Sequence, residues 1–147
     1  MKNMIRFVAV LLLIFAICSS YAFAESESID YHAIVDMLQY ICEYSGYDYC
    51  KIEANESGFI IQVAQDGIYL YFLAMIYGMV DRSTWEEYVE INVNAANAIS
   101  DTITACGIEN PNLLFVLLDD RTHDASLLTI CNGSVIYDYS YTSIDDI

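Results

Sequence analysis

The residues with the most chemistry in one place are Asp119-Asp120-Arg121-Thr122-His123-Asp124. Three carboxylates and an imidazole on one loop could ligate a divalent cation through Asp119, Asp120, His123 and Asp124, and oxygen donors favour Ca²⁺. The spacing differs from an EF-hand loop, and Arg121 would offset part of the site's charge. The plainer reading is a solvated turn closed by one internal ion pair. His32 and Asp36 stand one helical turn apart, a spacing at which a carboxylate can orient an imidazole base. Helix surfaces carry such pairs routinely, and that reading is preferred here. No Ser or Cys sits in a nucleophile motif such as G-x-S-x-G, so no catalytic residue is assigned. With 21 carboxylates in the chain, pairs of acids suited to glycoside cleavage are no signal.

Cysteine usage depends on where the chain ends up. Lys2 and Arg6 precede an apolar run from Phe7 to Cys18, and Ala22-Phe23-Ala24 follows. Positive charge, apolar stretch and small-x-small site, in that order, read as a secretory signal peptide over residues 1–24, with Ala22 and Ala24 marking the cleavage. The run is shorter than the roughly 20 residues of a membrane helix, and no later segment is long enough. The expected location is therefore secreted or periplasmic, with no membrane span after signal removal. Cys42, Cys50, Cys106 and Cys131 remain, an even count in an exported domain, which favours disulfides over a metal site. Of the three possible pairings, the two local bridges Cys42–Cys50 and Cys106–Cys131 are expected.

The net charge is −16 for the whole sequence. Without residues 1–24 it becomes −18, from Lys51, Arg82 and Arg121 against 21 carboxylates. A field of that sign repels nucleic acid and anionic membrane, and attracts cations or a basic partner. The plainer reading is that the acidity keeps a Tyr-rich exported protein in solution. Tyr137, Tyr139 and Tyr141 recur with period two, as do Tyr69 and Tyr71. A row of tyrosines on an exposed sheet face offers apolar area with polar tips to a partner. The competing reading packs the same row under a helix.

These residues need a scaffold. A helix is expected over about residues 29–44, with Tyr31, Ile34, Val35, Leu38, Ile41 and Cys42 on one face. Strands follow at about 49–54 and 59–65. Asp66-Gly67 then reads as a hairpin turn into a third strand over residues 68–77, apolar on both faces. Ser83-Thr84-Trp85-Glu86 reads as a capping box opening a second helix. Its apolar face carries Trp85, Tyr88, Ile91, Ala95, Ile99, Ile103 and Cys106, with Asn92 in its midst. A buried amide requires partners, so Asn92 is expected to tie the helix to a backbone segment. Leu113–Leu118 and Ser126–Cys131 read as strands, and Asn132-Gly133 as a hairpin turn into a last strand, 134–141. The expected class is α+β, one domain over residues 25–147, with two helices packed on an antiparallel sheet in the order α-β-β-β-α-β-β-β.

That element order, with Ile91-Asn92-Val93-Asn94 in the second helix, resembles the YbjN family and the type III secretion chaperone-like fold. The family's apolar-Asn-x-x-Asn stretch is matched in part, with Ala95 at the second Asn position. The resemblance implies a non-catalytic domain that binds protein or peptide, often as a homodimer. The function expected is accordingly an exported acidic interaction domain. The alternative is a small metal-binding protein or hydrolase centred on the 119–124 loop.

Overall fold

The computed structural model describes residues 29–141, and the expected signal peptide over residues 1–24, with Ala22 and Ala24, lies outside them. The first helix, α1 (Tyr31–Tyr44), starts at Asp30, whose carboxylate Oδ1 accepts the backbone N–H groups of His32 and Ala33 at 3.0 and 3.1 Å. Such a cap satisfies donors that have no partner inside the helix. Ile34, Leu38, Ile41 and Cys42 form its buried stripe, at the spacing a 3.6-residue repeat demands. Strands β1 (Tyr49–Asn55) and β2 (Gly58–Ala64) form an antiparallel hairpin.

The expected third strand is a helix. Ile68–Ile76 forms α2, burying Ile68, Phe72 and Met75 at positions i, i+4 and i+7. A continuous apolar run does not distinguish strand from helix by periodicity, and the feature that decides lies far along the chain. The Asp120 carboxylate accepts the N–H groups of Gly67 (2.8 Å) and Tyr69 (2.9 Å) and so caps the new helix with a negative charge. Gly67 itself takes φ +81°, a left-handed conformation that suits glycine.

The long helix α3 (Arg82–Ala105) is capped two residues earlier than expected, by Asp81 in place of Ser83, with the Asp81 carboxylate accepting from the Ser83 N–H at 2.9 Å. It buries Trp85, Asn92, Ala95, Ala96, Ile99 and Ile103, while Ile91 stays 53 % exposed. Asn92 is anchored as a buried amide must be, but by a side chain and its own helix: the Tyr47 hydroxyl donates to Oδ1 (3.0 Å) and Nδ2 donates to the Tyr88 carbonyl (2.8 Å).

Strands β3 (Leu113–Leu118), β4 (Ser126–Cys131) and β5 (Ser134–Asp138) complete a five-stranded sheet in the order β1-β2-β3-β4-β5. Because α2 and α3 connect β2 to β3, those two strands run parallel and the sheet is mixed rather than wholly antiparallel. The α+β class holds, with the order α-β-β-α-α-β-β-β. The last strand stops at Asp138, and Tyr139–Tyr141 turn away as a short 3₁₀ helix.

Alternation along the strands gives the sheet two unlike faces. Phe59, Ile61, Val63, Leu113, Phe115, Leu117, Leu128 and Ile130 meet all three helices in the main core. The opposite face carries Ala64, Val116 and Leu118 with Tyr49 and Leu114, and no helix among the described residues covers it.

Candidate functional site

The acidic loop 119–124 joins β3 to β4, and Asp119, Asp120, Arg121 and His123 each make contacts within the fold. Asp119 is 3 % exposed. Its carboxylate accepts Arg121 Nε (3.2 Å) and Nη2 (3.1 Å), and also the Arg121 backbone N–H (2.8 Å). Burial resists ionisation of this carboxyl, but the hydrogen bonds and charge of Arg121 outweigh it and hold Asp119 below the usual carboxylate range. The Arg121 guanidinium in turn lies 3.3 Å from the centre of the Tyr69 ring, a cation–π contact. Asp120 caps α2. His123 adopts φ +58° and stacks on Tyr49 with ring centres 4.1 Å apart. Asp124 is exposed.

Asp119, Asp120, His123 and Asp124 therefore do not gather around a common point, and among the described residues no group of three or more His, Cys, Asp or Glu is placed to hold a metal ion. The internal ion pair of the plainer reading is present. His32 and Asp36 are both exposed on the outer face of α1.

The tyrosines divide. Tyr69 and Tyr71 lie on α2 rather than on a strand. Tyr137 is 41 % exposed on β5. Tyr139 is past the end of that strand and packs on Phe72, with ring centres 5.3 Å apart. The side chain of Tyr141 lies outside what is described. The row of three is therefore not a single exposed face.

No disulfide joins Cys42, Cys50, Cys106 and Cys131 to one another. The topology keeps the expected Cys106–Cys131 pair apart. Cys106 packs on the helix-side core, whereas Cys131 is paired with Leu114, whose side chain is on the opposite face. Cys42 and Cys50 do meet, as hydrogen-bonded thiols. That bond and burial raise the Cys42 pKa, while the same bond lowers that of Cys50 against its own burial. Cys50 is thus the more acidic of the two, with Cys42 as donor to its sulfur.

Three surface features remain, and of these the sequence pointed only to part of the last, through Tyr137. One is a cleft of about 290 Å³ at the end of the sheet by the β1–β2 turn, with Ile60, Leu114 and Cys131 among its lining residues. The second is a cleft of about 370 Å³ between α2 and α3, walled by Ile68, Tyr71, Tyr88 and Ile91 with Asp66 and Glu87 among its lining residues. The Tyr88 hydroxyl donates to Gln65 Oε1 at 2.8 Å, and burial pushes its pKa up to about 12. The third is the β5 edge, where Val135, Ile136 and Tyr137 are 42, 62 and 41 % exposed.

No family model, curated protein or solved structure matches this chain. The arrangement of its own residues is what a functional reading rests on. Among the described residues no helix is long and apolar enough to cross a membrane. Of the tyrosine pair Tyr69 and Tyr71, expected on a strand, only Tyr71 lines the α2–α3 cleft.

Proposed function

We propose that this chain is an exported, acidic binding domain without a catalytic step of its own, which takes a protein or peptide strand along its β5 edge. The observation that carries the reading is the exposed run Val135-Ile136-Tyr137 on the terminal strand of the sheet. An edge strand offers a row of unpaired N–H and C=O groups, and proteins normally blunt such edges with Lys, Pro or a covering loop. Ser134–Asp138 contains neither Lys nor Pro. Adding an extended segment to it would supply main-chain hydrogen bonds, with alternate side chains setting specificity. A second copy of the chain, paired antiparallel through the same strand, is one partner that fits, as the resemblance to YbjN-like domains implies. Export rests on the sequence of residues 1–24 and gives this binding an extracytoplasmic setting.

Sedimentation velocity of the secreted chain over a concentration series tests the self-pairing arm. Selection of binders from a random peptide library, mapped by amide shifts on β5, tests the peptide arm. Complex formation in either arm that Ile136→Lys weakens about ten-fold or more supports the proposal, since a charge placed on an interface core is strongly unfavourable. A chain that stays monomeric and selects no peptide shifting the β5 amides overturns it. A complex indifferent to Ile136→Lys overturns it equally.

A further inference from the structure

We propose that the cleft between α2 and α3 is a binding site for a small organic cation, an aliphatic amine or diamine in its ammonium form. Its walls and its rim ask for two different things at once. Ile68, Tyr71, Tyr88 and Ile91 supply apolar and aromatic surface, and Asp66 and Glu87 add two exposed carboxylates. No Lys or Arg lines it. Ile91 is over half exposed here, next to the exposed Glu90 on α3. A methylene chain is favoured against such a floor while its charged head stays at the acidic rim. Tyrosine faces add attraction for an ammonium group. An anion would meet only repulsion at that rim, and a neutral alcohol would leave the carboxylates unused.

The surroundings reinforce the choice of sign. The positive end of the α2 dipole, which would otherwise oppose a cation, already faces the Asp120 carboxylate. Asp48 adds a further carboxylate beside the rim, its Oδ2 accepting the Asp66 N–H at 2.7 Å. The Tyr71 hydroxyl is buried with no hydrogen-bond partner among the described residues, although Tyr71 lines the cleft. A small tilt of the ring toward an occupant would give that oxygen an N–H donor. The volume falls near the lower end of the range for small-molecule sites, roughly 300–1,000 Å³. The net −16 of the chain raises the local concentration of cations over all of its surface, so the experiment has to separate a site from an atmosphere.

The probe is cadaverine, titrated into the protein at low salt and followed by amide chemical shifts. Saturable shifts confined to residues 65–71 and 84–91 are expected, with pentan-1-ol at the same concentration leaving those amides unmoved. Glu87→Gln is expected to weaken cadaverine about three- to five-fold, the scale of one exposed ion pair. Glu90→Gln, an exposed acid on the same helix outside the cleft, is expected to leave it unchanged. Both side chains are exposed, so neither variant threatens the fold, and a thermal melt of each checks this. Non-saturating shifts spread over the acidic surface overturn the proposal. So does an equal loss in the two variants, or pentan-1-ol moving the same amides as far.

Discussion

Arg121 shows how one side chain can convert a cluster of candidate ligands into structure. It neutralises Asp119 through two side-chain hydrogen bonds and covers the Tyr69 ring, leaving no cation-binding carboxylate at that point. Removing it by Arg121→Ala leaves a nearly buried carboxylate with only backbone and Thr122 contacts. The expected loss at pH 7 is about 1–3 kcal/mol in chemical denaturation. The loss carries a pH signature. In the wild type the Asp119 pKa is depressed, so its contribution is present above the ordinary carboxylate pKa and fades as pH falls through the lower folded value. In the variant the burial of Asp119 is no longer offset, which destabilises the fold above that range and ceases to matter once the carboxyl is protonated. The two proteins should therefore converge between about pH 5 and pH 3, down to a residual from the lost stacking on Tyr69. A difference that stays constant with pH would mean that Arg121 acts only by packing.

At the scale of elements, Asp120 joins the loop to α2. Asp120→Ala is expected to cost about 0.5–2 kcal/mol, the usual range for a lost helix cap. It should also speed amide exchange at Gly67, Tyr69 and Tyr71 ahead of the rest of α2, since the first two donate to Asp120 and the third closes the first turn onto Gly67. Uniform acceleration over all of α2 would instead show that the cap sets the existence of the helix and not its first turn. This dependence is also why α2 was illegible from its own residues. Asp66-Gly67 before an apolar run matches a hairpin turn, and the capping carboxylate is more than 50 positions away. Reading α2 as a strand carried a second error with it, since a hairpin forces antiparallel pairing whereas a helical crossover lets β2 and β3 run parallel. Elements with their signals on board were legible: the buried stripe of α1, the β1–β2 alternation and the Asn132-Gly133 turn into β5. The α2–α3 cleft was not, because Asp66, Tyr71, Glu87 and Ile91 meet only once both helices have folded.

Across the whole molecule, charge is the one property that sequence alone settles, and it acts against compactness. Three basic groups are in the described residues, and two of them, Lys51 and Arg82, form exposed pairs with Glu53 and Glu86 at 2.7 and 3.8 Å. Exposed pairs of this kind contribute little, so most of the net −16 is unanswered within the chain. Folding brings those carboxylates closer together, and added salt should relieve the cost by shortening the Debye length from about 30 Å at 0.01 M to about 3 Å at 1 M. A relief of about 1 kcal/mol corresponds to a rise of about 4 °C in melting temperature for a domain of this size. NaCl is therefore expected to raise the melting temperature steeply below about 0.2 M and then level off, because screening saturates once the Debye length is shorter than the spacing of surface charges. Strengthened hydrophobic burial would give the other shape, a rise that continues with concentration and is steeper for sulfate than for chloride. The electrostatic account also requires the NaCl effect to shrink near pH 4, where carboxylates begin to take up protons. Melts in NaCl and Na₂SO₄ at equal ionic strength, at pH 7 and pH 4, separate the two. A rise of equal size at both pH values would remove self-repulsion as the cause.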